Sequence, residues 1–284
     1  MTGLVLEGGG HREIYSAGVL DVLLENRIKV DGVIGVSSGT VHGASYISGQ
    51  IGRSVRYTEK YCSNPSYMGL NSFFKTGNYF NEDFCYRRLP EFLDPFDNMS
   101  FEKSGIPFYI TCTDIITGDP VYHKCDNLRE EEMKWLQASA SMPILSNIVK
   151  IDSYQLLEGE ISDAIPLQAS ENLGFENNIV ILTQPKGFQK KPIKWLSKVL
   201  AIKYKEYPEL VNAMERRHEM YNSQLEYVEQ QEHAERALVI RPSSFPPAGR
   251  LEKDSSKIRL TYEMGRRDAI EALNSIKFFI NLNY

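Results

Sequence analysis

The chain has 284 residues, 42% hydrophobic and 24% charged, enough for one large α/β domain, or one domain plus a helical extension, without a metal or disulfide staple. A net charge of −5 argues against a nucleic-acid partner. No apolar run approaches the ~20 residues of a membrane span, no secretory signal pattern is read, and Cys62, Cys85, Cys112 and Cys125 form no C-x-x-C pair, so reduced thiols in a cytoplasmic protein are expected.

Leu4-Val5-Leu6 is a short apolar run and reads as a buried strand. Gly8-Gly9-Gly10-His11-Arg12 follows at once. Ile14, Ala17, Leu20 and Leu24 then recur at helical spacing, so the glycine loop opens a helix. Val33 and Ile34 make a second apolar run, ended by Gly35-Val36-Ser37-Ser38-Gly39 and followed by small residues to Ser48. Strand, helix and strand in this order predict a βαβ unit and a parallel sheet. A G-x-S-x-G turn between strand and helix is the pattern of a nucleophile elbow: Gly35 and Gly39 let the two elements approach, and Ser37 is held on strained backbone. Its hydroxyl then stands at a helix N-terminus, where developing negative charge is favoured.

The glycine loop presents amide N–H groups at a helix start, a place for an anion. One candidate is a dinucleotide pyrophosphate, but its G-x-G-x-x-G fingerprint needs glycine where this chain has Glu13, and Asp31 precedes the second strand instead of ending it. The other is the oxyanion of an acyl-transfer intermediate at Ser37. That reading accounts for loop and elbow together, both at the C-terminal edge of adjacent parallel strands.

From Gln50 to Ser104 the periodicity weakens and aromatics crowd in, among them Tyr57, Tyr61, Tyr67, Phe80, Phe84 and Phe92. They read as the core of an irregular insertion over the sheet and as an apolar wall for an acyl chain. Pro107 to Thr113 and Val121 to His123 read as a hairpin around the turn residues Asp114 to Pro120. A helix is expected over Arg129–Ser141, strands over Ile148–Ile151 and Tyr154–Leu157, and a further buried strand over Asn178–Thr183. The polar, basic stretch Gln184–Pro192 marks the predicted boundary between a catalytic unit, 1–185, and an accessory extension, 186–284. The extension is predicted as a helix over Ile193–Lys205, a long charged helix over Pro208–Glu235, a strand at Leu238–Ile240 and a closing helix over Ile258–Ile280. Trp195, Leu196 and Ile202, interspersed with Lys194, Lys198 and Lys203 and preceded by Lys186, Lys190 and Lys191, suit either an ordinary amphipathic helix or one lying peripherally on an anionic membrane.

Four ordered motifs carry a resemblance to a known family: Gly8-Gly9-Gly10-His11-Arg12, Gly35-Val36-Ser37-Ser38-Gly39, Ala138-Ser139-Ala140-Ser141-Met142-Pro143 and Ile161-Ser162-Asp163-Ala164-Ile165-Pro166, with Glu158-Gly159-Glu160 just before the last. The chain resembles the patatin-like phospholipases, in particular bacterial members with a helical C-terminal extension. The resemblance implies a three-layer α/β/α fold with a mostly parallel central sheet, and hydrolysis of lipid or other acyl esters by a Ser–carboxylate dyad without histidine, cofactor or metal. Ser37 then matches the nucleophile, the amides of Gly8–Arg12 the oxyanion hole, and Glu158 the acid. The chain departs from the family pattern at three places: Glu158 replaces aspartate, Glu160 a small residue and Glu13 a glycine. A longer acid displaces the carboxylate by about an ångström, a shift that can cost on the order of 10²-fold in rate. Glu13 and Glu160 would place like charge beside an oxyanion. These departures motivate an alternative, a weakly active or inactive homologue that binds lipid or a protein.

Asp163, five residues beyond Glu158, is expected to cap a helix starting near Ala164, with a role as substitute base the competing reading. His218 and His233 have the sequence position of a triad histidine but lie in charged helical surroundings that suit the surface. His11 and His42 flank the site as neighbours. Arg12 either contacts an anionic head group or pairs with Glu13 or another acid.

Overall fold

The computed structural model describes residues 1–192 and 194–282, the side chains of 194–198, 281 and 282 excepted. The strands are β1 (Thr2–Leu6), β2 (Gly32–Val36), β3 (Phe108–Asp114), β4 (Pro120–Cys125), β5 (Val149–Ile151), β6 (Tyr154–Glu158), β7 (Asn177–Ile181) and β8 (Ala237–Ile240). The helices are α1 (Ile14–Glu25), α2 (Ser38–Ile47), α3 (Arg53–Tyr61), α4 (Leu70–Thr76), α5 (Asn98–Ser104), α6 (Glu130–Ser139), α7 (Leu167–Asn172), α8 (Lys194–Lys203), α9 (Pro208–His233) and α10 (Ser255–Leu282).

Along the sheet the order is β5-β6-β3-β2-β1-β7-β8, with β4 paired to β3. β3, β2, β1, β7 and β8 are mutually parallel, while β4, β5 and β6 join antiparallel. The central strands are buried on both faces, and alternate residues enter different cores. Leu4 and Leu6 pack with residues of α1, α2, α6 and α10. Val5, between them, packs with residues of α7 and α9. The result is three layers, α/β/α.

One register detail positions everything that follows. Cys112 and Thr113 of β3 pair with Val121 and Pro120 of β4 on one edge and with Glu158 and Leu157 of β6 on the other. Val36 of β2 pairs with Thr111, on that second edge. β2 and β6 therefore abut end to end along one side of β3, and β6 begins to pair where β2 stops.

The Gln50–Ser104 insertion is more regular than its periodicity suggests: it holds α3, α4, α5 and a π-helical stretch, Phe84–Leu93, containing Pro90. Tyr57, Tyr61, Tyr67, Met68 and Phe84 form its core, whereas Phe74 and Phe92 are exposed. The extension is not a separate layer. β8 lies beyond residue 186 yet pairs with β7, so the sheet runs across the boundary predicted there. α10 packs along α1, where a β-carbon on Gly18 would strike the Tyr262 carbonyl and one on Gly265 the Tyr15 carbonyl. The apolar face expected around Trp195 and Leu196 lies outside the described residues. Among the described residues no helix is long and apolar enough to cross a membrane.

Candidate functional site

The stretch Gly35–Gly39 forms the turn from β2 into α2, with Ser37 at φ 55° and ψ −128°. Positive φ on a residue with a β-carbon costs on the order of 1–3 kcal/mol and persists only where surroundings enforce it. Here several contacts do. The Ser37 N–H donates to Ser139 Oγ at 2.8 Å, and Ser139 Oγ donates to the Thr111 carbonyl at 2.7 Å. The Ser37 carbonyl accepts from Thr40 N–H at 3.1 Å and Thr40 Oγ1 at 2.5 Å. A β-carbon on Gly35 would lie 2.9 Å from the Thr40 nitrogen, and one on Gly39 2.5 Å from the Glu7 carbonyl, so both glycines are required by close approach.

Glu158 is the last residue of β6. Its N–H donates to the Ser141 carbonyl at 2.9 Å and its carbonyl accepts from Thr113 Oγ1 at 2.8 Å. With the backbone fixed, its side chain reaches the elbow: Ser37 Oγ donates to Glu158 Oε1 at 3.1 Å. Ser37 is 4% exposed and Glu158 3%. The end-to-end meeting of β2 and β6 is what brings them together, and the longer glutamate lies within hydrogen-bonding reach of the hydroxyl.

Gly8 abuts Ser37 directly, since a β-carbon on it would sit 3.2 Å from the Ser37 Cβ. The N–H groups of Gly8 and Gly9 find no acceptor among the described residues. Gly10 has φ +59°, where glycine is favoured, and the Arg250 carbonyl packs against it. The next amide is taken: His11 N–H donates to that carbonyl at 3.0 Å. The Arg12 side chain donates through Nε to Thr183 Oγ1 at 2.9 Å, with its Nη2 beside Gly9.

The two extra acids have distinct environments. Glu13 is fully buried, and burial first, then the Glu7 charge, raise its pKa well above the usual carboxylate range, outweighing Ser16 and Arg12. Its carboxyl sits beside Gly9. Glu160, 2% exposed, is met by three basic side chains: Lys190 Nζ at 2.6 Å, Arg217 Nη2 at 2.6 Å and Arg250 Nη2 in close contact; burial first, then Arg217, lowers the Lys190 pKa well below its ordinary value. Arg217 Nε also donates to the Glu160 carbonyl at 3.1 Å. Lys190, grouped by sequence with solvent-facing lysines, is thus an inward residue, while Lys186 and Lys191 remain exposed. Behind the loop, Glu7 accepts from Thr183 N–H at 2.6 Å and from the Tyr221 hydroxyl at 2.7 Å.

Asp163 neither caps a helix nor bonds to Ser37. α7 starts at Leu167 after Pro166, and the Asp163 carboxylate accepts from Tyr122 OH and Gln224 Nε2, each at 2.6 Å. Burial leads in raising its pKa to about 6. No histidine bonds to Ser37 among the described residues. His42 contacts Ser54 Oγ at 2.9 Å and is kept neutral by burial, which pushes its pKa down to about 3. His11 stacks on Tyr67. His218 and His233 bond to carbonyls of their own helix. His123 bonds to Glu132 at 2.7 Å and stacks on Trp135, away from the elbow.

A cavity of about 100 Å³ opens at Ser37, lined largely by the aromatic insertion through Tyr57, Tyr67, Phe80, Tyr86 and Leu89, with Met142 opposite. A larger hollow of about 850 Å³, between α4, the π-helical stretch and α6, contains none of the predicted site residues. Sequence reasoning missed Ser139 as the elbow's clamp, although its motif was noted, and missed Arg217 and Arg250. The available signal was electrostatic: Glu7, Glu13, Glu158 and Glu160 converging on one sheet edge demand cations from elsewhere in the chain.

A family model described as "Patatin-like phospholipase" matches residues 4–170, and one described as "Domain of unknown function (DUF6363)" matches residues 207–281. The "Uncharacterized protein YjjU" of Escherichia coli (strain K12) is 25% identical over 273 residues, 93% of this chain and 74% of that one. "Neuropathy target esterase sws" of Drosophila melanogaster is 28% identical over 180 residues, 63% of this chain and 12% of that one. "Lysophospholipase nte1" of Aspergillus terreus is 26% identical over 185 residues, 61% of this chain and 11% of that one. The chain thus spans only about a tenth of the length of the last two.

Proposed function

The chain belongs to the patatin-like phospholipase family, and on that premise we propose that it is a serine hydrolase of lipid acyl esters working through Ser37 and Glu158. Ser37 Oγ attacks the ester carbonyl carbon as its proton passes to Glu158. The carbonyl π electrons move onto oxygen, and the oxyanion is received by the free amides of Gly8 and Gly9. Collapse expels the alcohol, which takes the proton from Glu158. Water then repeats the sequence on the acyl-enzyme, with Glu158 again accepting a proton, and the released acid leaves Ser37 free. The aromatic cavity holds the acyl chain. Names of similar chains, an esterase and a lysophospholipase, favour the same substrate class.

The observation that carries this reading is the 3.1 Å hydrogen bond from Ser37 Oγ to Glu158 Oε1 on a backbone clamped at positive φ. The binder alternative drew on three acids at the site, Glu13, Glu158 and Glu160; the burial that raises the Glu13 pKa and the three basic side chains at Glu160 support the hydrolytic reading instead. Peripheral contact with a bilayer belongs to the same reading, with Val199 and Ile202 exposed on α8 near Lys205. A fluorophosphonate probe tests the chemistry: Ser37 of the folded protein is expected to be labelled and Ser37→Ala to lose both label and p-nitrophenyl ester hydrolysis. Full activity in Ser37→Ala would overturn the assignment.

A further inference from the structure

Two buried glutamates two positions apart, both needed in place, pose an electrostatic problem that the family motif does not contain. Two buried carboxylates this close repel each other, and a cation placed between them offsets that repulsion. The nearest cation to the base is Arg250, in the connection between β8 and α10. Its Nη2 lies 3.6 Å from Glu158 Oε1, the same oxygen that accepts from Ser37, and in close contact with Glu160. Its carbonyl accepts the His11 N–H at 3.0 Å. One residue of the extension therefore touches the base, the second acid and the glycine loop.

We propose that Arg250 is a positioning residue of the hydrolytic site: it holds the Glu158 carboxylate aimed at Ser37 beside Glu160, so the extension completes the dyad. The inference rests on the Ser37–Glu158 reading above. Lys190 and Arg217 anchor Glu160 from the other side and leave Arg250 to serve both acids. The remaining charged and titratable groups that face the pair are Glu7, Arg12 and Glu13 from the β1 end, Cys112 opposite Glu158 on β3, and Tyr221 on α9. Burial lowers the pKa of both Arg217 and Arg250, and the Glu158 charge leads in opposing it, consistent with a mutual interaction.

The test is the pH dependence of kcat/KM for a p-nitrophenyl ester in the full-length chain, with two variants that move it in opposite directions. Arg250→Met keeps the backbone carbonyl on His11 but removes the charge, and the acid limb is expected to rise by about one pH unit or more, a roughly tenfold loss below the limb. Arg250→Lys should return the limb toward its parental position. Glu160→Gln, nearly isosteric, removes the competing anion, and the limb is expected to fall. If Arg250→Met does not fold, as judged by circular dichroism, the downward shift in Glu160→Gln still decides. Limbs unmoved in the folded variants, with parental Ser37 labelled by fluorophosphonate, would overturn the role of Arg250 and leave the dyad standing. An unlabelled parent would overturn both.

Discussion

Ser139 and Ser37 are joined through the main chain: the Ser139 hydroxyl accepts a hydrogen bond from the Ser37 N–H and donates one to the Thr111 carbonyl. The hydroxyl thus ties the elbow to β3. Ser139→Ala would leave a buried donor and a buried acceptor unsatisfied, at a cost of about 1–3 kcal/mol. Urea unfolding should show the free energy of unfolding falling by that amount, through a lower midpoint at an unchanged slope. Because the strained turn loses a support, kcat is expected to fall more than KM changes.

Glu158 reaches Ser37 as a glutamate, so shortening it is expected to harm the enzyme even though aspartate is the family residue at that place. In Glu158→Asp the 3.1 Å contact opens, and a displacement of about an ångström predicts a loss on the order of 10²-fold in kcat/KM. Glu158→Gln keeps the shape and removes the base, for a loss of roughly 10²–10⁴-fold. A faster Glu158→Asp enzyme in steady-state assays would show that the observed geometry is not the working one.

Glu13 gives a stability prediction with a definite sign. Its folded pKa stands well above the ordinary value of 4.5. The folded state therefore holds a proton that the unfolded chain releases, and stability declines as pH rises through the interval between the two values. Glu13→Gln removes that dependence. Denaturant midpoints of variant and parent should coincide at about pH 4, and the variant should become the more stable one by about pH 8.

Leu89 and Phe80 line the small cavity at Ser37. Leu89→Trp should fill it, shifting preference from p-nitrophenyl laurate to butyrate by about tenfold in kcat/KM, equivalent to about 1.4 kcal/mol of lost chain binding. Labelling by a small fluorophosphonate should persist, which separates a blocked chain site from a broken dyad.

Much of this site was legible because its parts are local patterns. The elbow is five residues long, the glycine loop five, and each follows an apolar run that cannot avoid being a strand. Glu158 was legible only through the family resemblance, which expects an acid at that place. What the sequence did not expose depends on distant pairing. Nothing local marks Arg217 or Arg250 as partners of Glu160: one lies in a long charged helix and the other in the connection between β8 and α10. The boundary at 185/186 followed a change in composition, whereas β8 is held by backbone hydrogen bonds to β7 that composition does not encode. Asp163 looked like a cap because Ile165 and Pro166 resemble a helix start, yet Tyr122 and Gln224 take up its oxygens instead.

The end-to-end meeting of β2 and β6 along β3 separates two design problems in this chain. Ser37 and Glu158 keep their spacing by ladder register, which is indifferent to how many residues intervene. The aromatic insertion hangs from that scaffold without setting it, so changes in its length or lining would alter the cavity wall and leave the Ser37–Glu158 spacing in place.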